Sequence, residues 1–170
     1  MTLTLYIVDG YNVLHALFRG ADREEIFARR DWLADRLASF AALRGARAVL
    51  VFDGHGPQSS SSVPIPGAPV EVCFAGGRFT ADTLIARRIS EQPADVAVVV
   101  VSADQEVQRT AARAGVSRMT PQELGAELRG ADNAQALDTA QDSTRMPSRL
   151  EDKVDPETLR RLEEMRHKPQ

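Results

Sequence analysis

The sequence predicts an α/β fold, with a central, mostly parallel sheet of about five strands, helices on both of its faces and a helical appendage toward the C-terminus. Three observations predict it. Short apolar, β-branched runs alternate with stretches of helical periodicity, the connections between them are mostly short, and AVVVV at 97–101 is apolar throughout, as in a strand buried on both faces. A chain of 170 residues with 43% hydrophobic content makes one compact domain, or one domain with an appendage. Cys73 is the only cysteine, so no internal disulfide forms. With only His15, His55 and His167 to join it, a structural zinc site is not expected either.

Leu3 to Val8 reads as a buried strand, followed by a loop at Asp9-Gly10. From Asp22 to Leu43, apolar residues recur at helical spacing (Ile26, Phe27, Leu33, Leu37, Phe40, Ala41), with Asp22 as N-cap and Gly45 beyond the end. Ala48 to Phe52 is a second strand and also ends on Asp-Gly, at Asp53-Gly54. His55 to Pro69, rich in serine and proline, reads as a long loop. Val70 to Phe74 is the third strand, and Thr80 starts a helix that reaches about Glu91. Asp95 to Val101 is the fourth strand, and a helix follows Asp104 as far as about Ala114. After a short last strand at Val116 to Met119, Thr120-Pro121-Gln122-Glu123 opens a helix with capping-box spacing and proline at its first position. The expected organisation is a domain over 1–129, a weakly apolar linker over 130–147 and a charged helix over 148–170.

A net charge of −3 argues against a protein that holds nucleic acid by bulk charge, so any such contact is local. The opening MTLTLYIVDGYN lacks the basic and apolar regions of a secretory leader, and no stretch approaches the ~20 apolar residues of a membrane span. A soluble, cytoplasmic protein without membrane contact is the expectation. Lys153 and Lys168 are the only lysines, which excludes the late-strand lysine of a phosphoacceptor domain. No G-K-[ST] exists for a P-loop, and Gly54-His55-Gly56 leads into proline and serine rather than into a dinucleotide-binding helix.

The informative feature is where the acids fall. Asp9, Asp53 and Asp104 each follow a strand directly or within a few residues, and in an open parallel sheet the carboxyl ends of the strands form the ligand crevice. Right-handed crossovers place the first strand beside the fourth at the switch point, which brings Asp9 opposite Asp104. Asp82, at the start of the helix after the third strand, leans toward the same crevice. Each acid alone is also what a turn or a helix cap would use. Together, three or four carboxylates repel unless a cation neutralises them, and oxygen donors suit magnesium or manganese. Such a metal serves phosphodiester hydrolysis, of RNA or of DNA. Asn12 offers an amide beside Asp9, and Thr80 and Ser102 offer hydroxyls beside two of the acids.

The segments IVDGYNVLH (7–15), VLVFDGHG (49–56), VEVCFAGGRFTADTLI (70–85) and VVVSADQEVQRTA (99–111) resemble the YacP-like branch of the NYN domain family, relatives of PIN-domain nucleases. The likeness continues through GVSRMTPQEL, and the tail's DKVDPETLRRLEEMR is similar to that family's charged C-terminal segment. Gly54 stands where many relatives carry alanine. The resemblance implies a three-layer PIN-like fold and a metal-dependent endoribonuclease, with some relatives acting on messenger RNA at the ribosome. By position it implies Asp9, Asp82 and Asp104 as carboxylates binding Mg²⁺ or Mn²⁺, Asn12 as their polar partner, and Asp53 at the edge of the site or just behind it. RNA, not DNA, is then the expected substrate.

For RNA contact, Arg78, on the approach to Asp82, and Arg109, in the first turns after Asp104, are the better phosphate ligands. Arg88 and Arg113 fit a solvated helix face equally well. Tyr11 and Phe79 are candidates for stacking an unpaired base, although such aromatics are more often core. The competing expectation is a non-catalytic PIN-like module that binds RNA or the ribosome. Against it, a pure binder gains nothing from an anionic cluster facing phosphate.

Overall fold

The computed structural model of the chain describes residues 2–54 and 60–145, of which 134–145 are described as backbone alone. Strands β1 (Thr4–Asp9), β2 (Arg47–Asp53), β3 (Ser61–Pro64), β4 (Val70–Ala75), β5 (Ala97–Val101) and β6 (Ser117–Met119) form one sheet in the order β3-β4-β2-β1-β5-β6. All neighbours run parallel except β3, which lies antiparallel on the outer edge of β4. The chain works outward from β1 through β2 to β4, then returns to the other side of β1 for β5 and β6. The switch point therefore lies between β1 and β5, where Val8 pairs with Val101.

Alternation along the strands splits the core into two layers. Tyr6, Val8, Ala48, Leu50 and Phe52 face α1 (Gly10–Leu17), α2 (Arg23–Ala28), α3 (Arg30–Leu43) and the start of α6 (Pro121–Arg145). Leu5, Ile7, Val49, Val51 and Cys73 face α4 (Ala81–Ser90) and α5 (Gln105–Arg113). Ile7, Val8, Leu50 and Val51 are fully buried, so the central strands are covered on both faces. Arg36 pairs with Asp132 and Arg44 with Glu127, which tie α3 to α6.

Several caps form as their spacing predicts. Asp22 and Glu25 make a reciprocal capping box on α2, and Thr120 and Glu123 make another ahead of Pro121 on α6. Four elements differ from expectation. Gly10 begins α1 rather than a loop, because Val13 and Leu14 are drawn fully into the core under tertiary packing that a short Gly-Tyr-Asn opening does not advertise. The single helix expected from Asp22 to Leu43 breaks at Arg29, and Phe27, expected on its buried stripe, is instead 52% exposed. The serine- and proline-rich loop contains β3, an edge position that tolerates Pro64. The segment expected as linker from Gly130 is helical through Arg145. The charged helix expected over 148–170 lies outside the described residues. Among the described residues no helix is long and apolar enough to cross a membrane.

Candidate functional site

The C-terminal edge of the sheet gathers the acids from two directions. At the switch point, Asp9 ends β1 and is buried to 9% exposure, unusual for a carboxylate. Its Oδ2 accepts a hydrogen bond from the Ser102 hydroxyl at 3.1 Å. Ser102, fully buried just past β5, also accepts from the Asp104 backbone N–H at 3.0 Å. Asp104 caps α5, its Oδ1 accepting from the N–H groups of Glu106 (2.7 Å) and Val107 (3.3 Å). Asn12, in the first turn of α1, accepts from the Ala103 N–H through its Oδ1 at 2.7 Å, which leaves its amide NH₂ for a ligand. Gln108 donates to the Ser102 carbonyl at 2.7 Å and holds the β5 exit from behind. One hydroxyl thus links β1, β5 and the start of α5.

The other half is built by β2 and α4. Asp53 is exposed at the end of β2, and its Oδ1 accepts from the Ala81 N–H at 2.7 Å, one of the amides that the first turn of a helix leaves without a partner. Thr80 caps the same helix by accepting from the Thr83 N–H at 3.3 Å. Asp82 follows in the first turn, open to solvent.

These groups perturb one another. Burial, more than any neighbour, pushes the Asp9 carboxyl from the usual 3.8 up to about 6, and the charges of Asp82 and Asp53 push the same way. The Ser102 hydrogen bond and the nearby backbone N–H of Asn12 oppose the rise; that N–H acts by proximity, since Asp9 makes no side-chain cap bond to α1. Asp82 is also raised, first by its partial burial and then by Asp104, Asp53 and Glu106. Glu106 is an acid that the sequence reading did not single out. Its signal was its place two residues after Asp104, in the first turn of the helix that Asp104 caps.

The donor set is hard carboxylate oxygen under mutual repulsion, which fits a divalent cation such as Mg²⁺ or Mn²⁺. Asp53 and Asp104 each commit Oδ1 to backbone amides, so Oδ2 is the oxygen left for another ligand. Among the described residues no three acids converge at ligating distance of one point. The fit is therefore one of chemistry and charge, and side-chain rotation has to complete it.

The remaining candidates lie apart from this network. Arg78 is exposed in the turn before α4, and Arg109 is exposed on α5 with Gln105 Oε1 3.4 Å away. Neither is ion-paired among the described residues. Tyr11 is half-buried, its ring edge-on to Phe52 at 4.9 Å, and Phe79 is 46% exposed. Arg88 is no solvated residue: it is half-buried, pairs with Glu71 at 2.5 Å and lies 3.3 Å from Cys73 Sγ. His15 is exposed in the last turn of α1, and His55 lies outside the described residues.

Comparison with known proteins bears on this edge. No curated protein sequence matches the chain. The crystal structure of Rae1 (YacP) from Bacillus subtilis is similar, with a TM-score of 0.71 at 23% identity over 98% of this chain and 95% of that one. A tryptophan-to-leucine mutant of Rae1 gives 0.69 at 22% identity over 87% and 88%. At these identities the likeness establishes the fold. The YacP-like NYN domain family matches residues 6–167, almost the whole sequence. The chain therefore belongs to the YacP-like NYN domain family, and its sheet, with acids gathered at the C-terminal edge, is a PIN-like, nuclease-type domain.

Proposed function

We propose that the chain is a metal-dependent endoribonuclease that hydrolyses RNA phosphodiester bonds, with messenger RNA at the ribosome as its substrate. The observation that carries this reading is the buried Asp9 with Asp82 and Asp53 raising its pKa further. A surface that only bound RNA would be hindered by such a cluster, because like charge repels phosphate. A cation reverses that sign, and PIN-like nuclease domains generally use divalent metals.

Asp9, Asp82 and Asp104 are the residues that would hold Mg²⁺ or Mn²⁺, with Asp53 at the edge of the set. Bound there, the metal supplies charge neutralisation and Lewis acidity toward a phosphodiester. The chain's own groups do the positioning. Ser102 fixes Oδ2 of Asp9, and the α5 amides fix Oδ1 of Asp104. The Asn12 NH₂, its oxygen anchored on Ala103, is free to donate to a phosphate oxygen or to the attacking water. Arg78, Arg109 and Tyr11 are assigned to the RNA strand beyond the scissile bond, Arg78 and Arg109 on phosphates and Tyr11 on a base. A mildly acidic chain binds naked RNA weakly as salt rises, which favours delivery of the substrate by a ribosome.

A non-catalytic RNA- or ribosome-binding module is the second reading, and the acids' lack of convergence on one point favours it. The deciding experiment is cleavage of messenger RNA by the purified full chain, with and without translating ribosomes, in Mn²⁺, Mg²⁺ or EDTA, beside Asp9→Asn. Metal-dependent cuts lost in the variant are expected. Identical RNA patterns for wild type, variant and EDTA would overturn the nuclease and leave the binding module.

A further inference from the structure

The break between α2 and α3 exposes an aromatic ring that helical periodicity would have buried. Phe27 is 52% exposed, yet one of its faces is occupied. The Arg30 guanidinium lies 3.4 Å from its ring centroid, and Arg30 Nε donates to the Phe27 carbonyl at 3.3 Å. The same guanidinium lies 5.9 Å from the Phe52 centroid and 5.6 Å from that of Phe74. Phe52 and Phe74 are themselves stacked at 5.8 Å and 22°, and Tyr11 meets Phe52 edge-on. Arg30 is half-buried, and among the described residues it pairs with no carboxylate. Its charge is held by three π faces instead.

The position of this ladder gives it meaning. Phe52 immediately precedes Asp53, and Tyr11 lies two residues after Asp9, so the inner rungs stand at the ends of the same two strands that carry these acids, with Phe52 turned to the opposite face of the sheet from Asp53. Its outer rung, Phe27, opens to solvent. A flat ring backed by a fixed guanidinium offers a π face to a base and a positive charge to the adjoining phosphate, which is how unpaired nucleotides are held without sequence readout.

We infer that Phe27 and Arg30 form a stacking platform for an unpaired nucleobase of single-stranded RNA, at the outer end of the aromatic ladder that starts at the ends of β1 and β2. This rests on the nuclease reading above and adds to it a path for the strand. Single strands are selected over duplex, because a paired base has no free face to give.

The test is fluorescence anisotropy of a short labelled single-stranded oligoribonucleotide in Mg²⁺, with the full chain in the Asp9→Asn background so that the strand stays whole. Phe27→Ala is expected to weaken binding about tenfold, and Phe27→Trp to restore it. Arg30→Gln is expected to weaken binding and to flatten its salt dependence. Duplex RNA should show no difference between wild-type Phe27 and Phe27→Ala. In the catalytically intact chain, Phe27→Ala should raise KM and leave kcat. Phe27 is half-exposed, and its loss leaves Arg30 two of its three π contacts, so thermal melts should differ little.

Equal affinity of Phe27→Ala and its parent for single strands would overturn the platform while leaving the nuclease reading intact. So would a loss of self-association in place of a loss of RNA affinity, which would make Phe27 a protein contact. Absence of both binding and cleavage by the unmutated chain would overturn the nuclease reading and the platform together.

Discussion

At the end of β1, Asp9-Gly10 turns directly into α1 beneath the Phe52 ring. At the end of β2, Asp53-Gly54 passes out beside the Ala75 carbonyl with its carboxylate in solvent. The dipeptide is the same, and both glycines are required by close approach: a Cβ would overlap the Phe52 ring at Gly10 and the Ala75 carbonyl oxygen at Gly54. The carboxylates differ in everything else. Asp9 is buried and raised to about 6, and its bonding partner is a side chain from a strand brought alongside by the switch in strand order. Asp53 is exposed and binds a backbone amide of the next helix. The comparison teaches that a strand-end aspartate becomes chemically loaded when the topology buries it at the switch point, whereas one strand away, at the end of β2, the same residue fastens a helix start.

The sharpest way to break this comparison is to remove one charge. Asp9→Asn is expected to lower RNA cleavage by at least about 100-fold, since charge stabilisation through a metal is worth several kcal/mol. The same change should stabilise the fold in EDTA. Asp9 carries a higher pKa folded than unfolded, so its ionisation opposes folding increasingly from the unfolded value of 3.8 up to the folded value of about 6. The stability advantage of Asn should be absent below the lower value and complete above the upper one, at about 2–3 kcal/mol. Urea melts at pH 3.5 and 7.5, read as a difference between the two proteins, check this. A variant less stable than wild type at neutral pH would show that Asp9 is structural.

Next in size is Ser102→Ala, which leaves the acids in place but frees Oδ2 of Asp9 and the Asp104 amide. Loss of a group that orients metal ligands costs about 10–100-fold in metal affinity or activity. Titrating Mn²⁺ against cleavage should show a raised metal requirement for this variant, partly relieved at saturation. An unchanged Mn²⁺ requirement would confine the hydroxyl to capping.

The smallest expected effect compares the glycines. Gly10→Ala must displace a ring that is 1% exposed, so overpacking should cost about 1–3 kcal/mol and move Asp9 with it. Gly54→Ala presses on the Ala75 carbonyl, buried backbone that cannot rotate aside, and should cost at least as much stability, yet with Asp9 undisturbed it should spare more of the cleavage. Thermal melts and cleavage rates of the two variants check the order. Equal losses of cleavage in both would end the distinction between the two exits.

Much of this was legible in the sequence where local chemistry decides. AVVVV, the Asp22 and Thr120 caps and the strand-end acids each announce themselves within a few residues, and the placement of β5 beside β1 followed from right-handed crossovers in the simplest doubly wound arrangement. What escaped depends on tertiary contact. The eight residues of α1 are stabilised by burying Val13 and Leu14, not by propensity. Phe27 satisfies a helical period that breaks at Arg29, and β3 exists only because β4 offers an open edge. Ser102 was visible as a hydroxyl near the acids, but its bridging of two strands was not. Glu106 entered the acidic field through the cap that Asp104 places on α5.

The bond between Ser102 and Asp9 joins residues 93 apart in the chain. A growing polypeptide that has emerged only as far as β4 already carries Asp9 and Asp53, yet its first strand has no β5 beside it and its buried carboxylate has no hydroxyl to meet. Long-range pairing of this kind carries the loop-closure cost that slows folding. The acidic edge is thus complete only once β5 and the start of α5 have followed the rest of the set out, and a chain cut short before them carries its first acids without their partners.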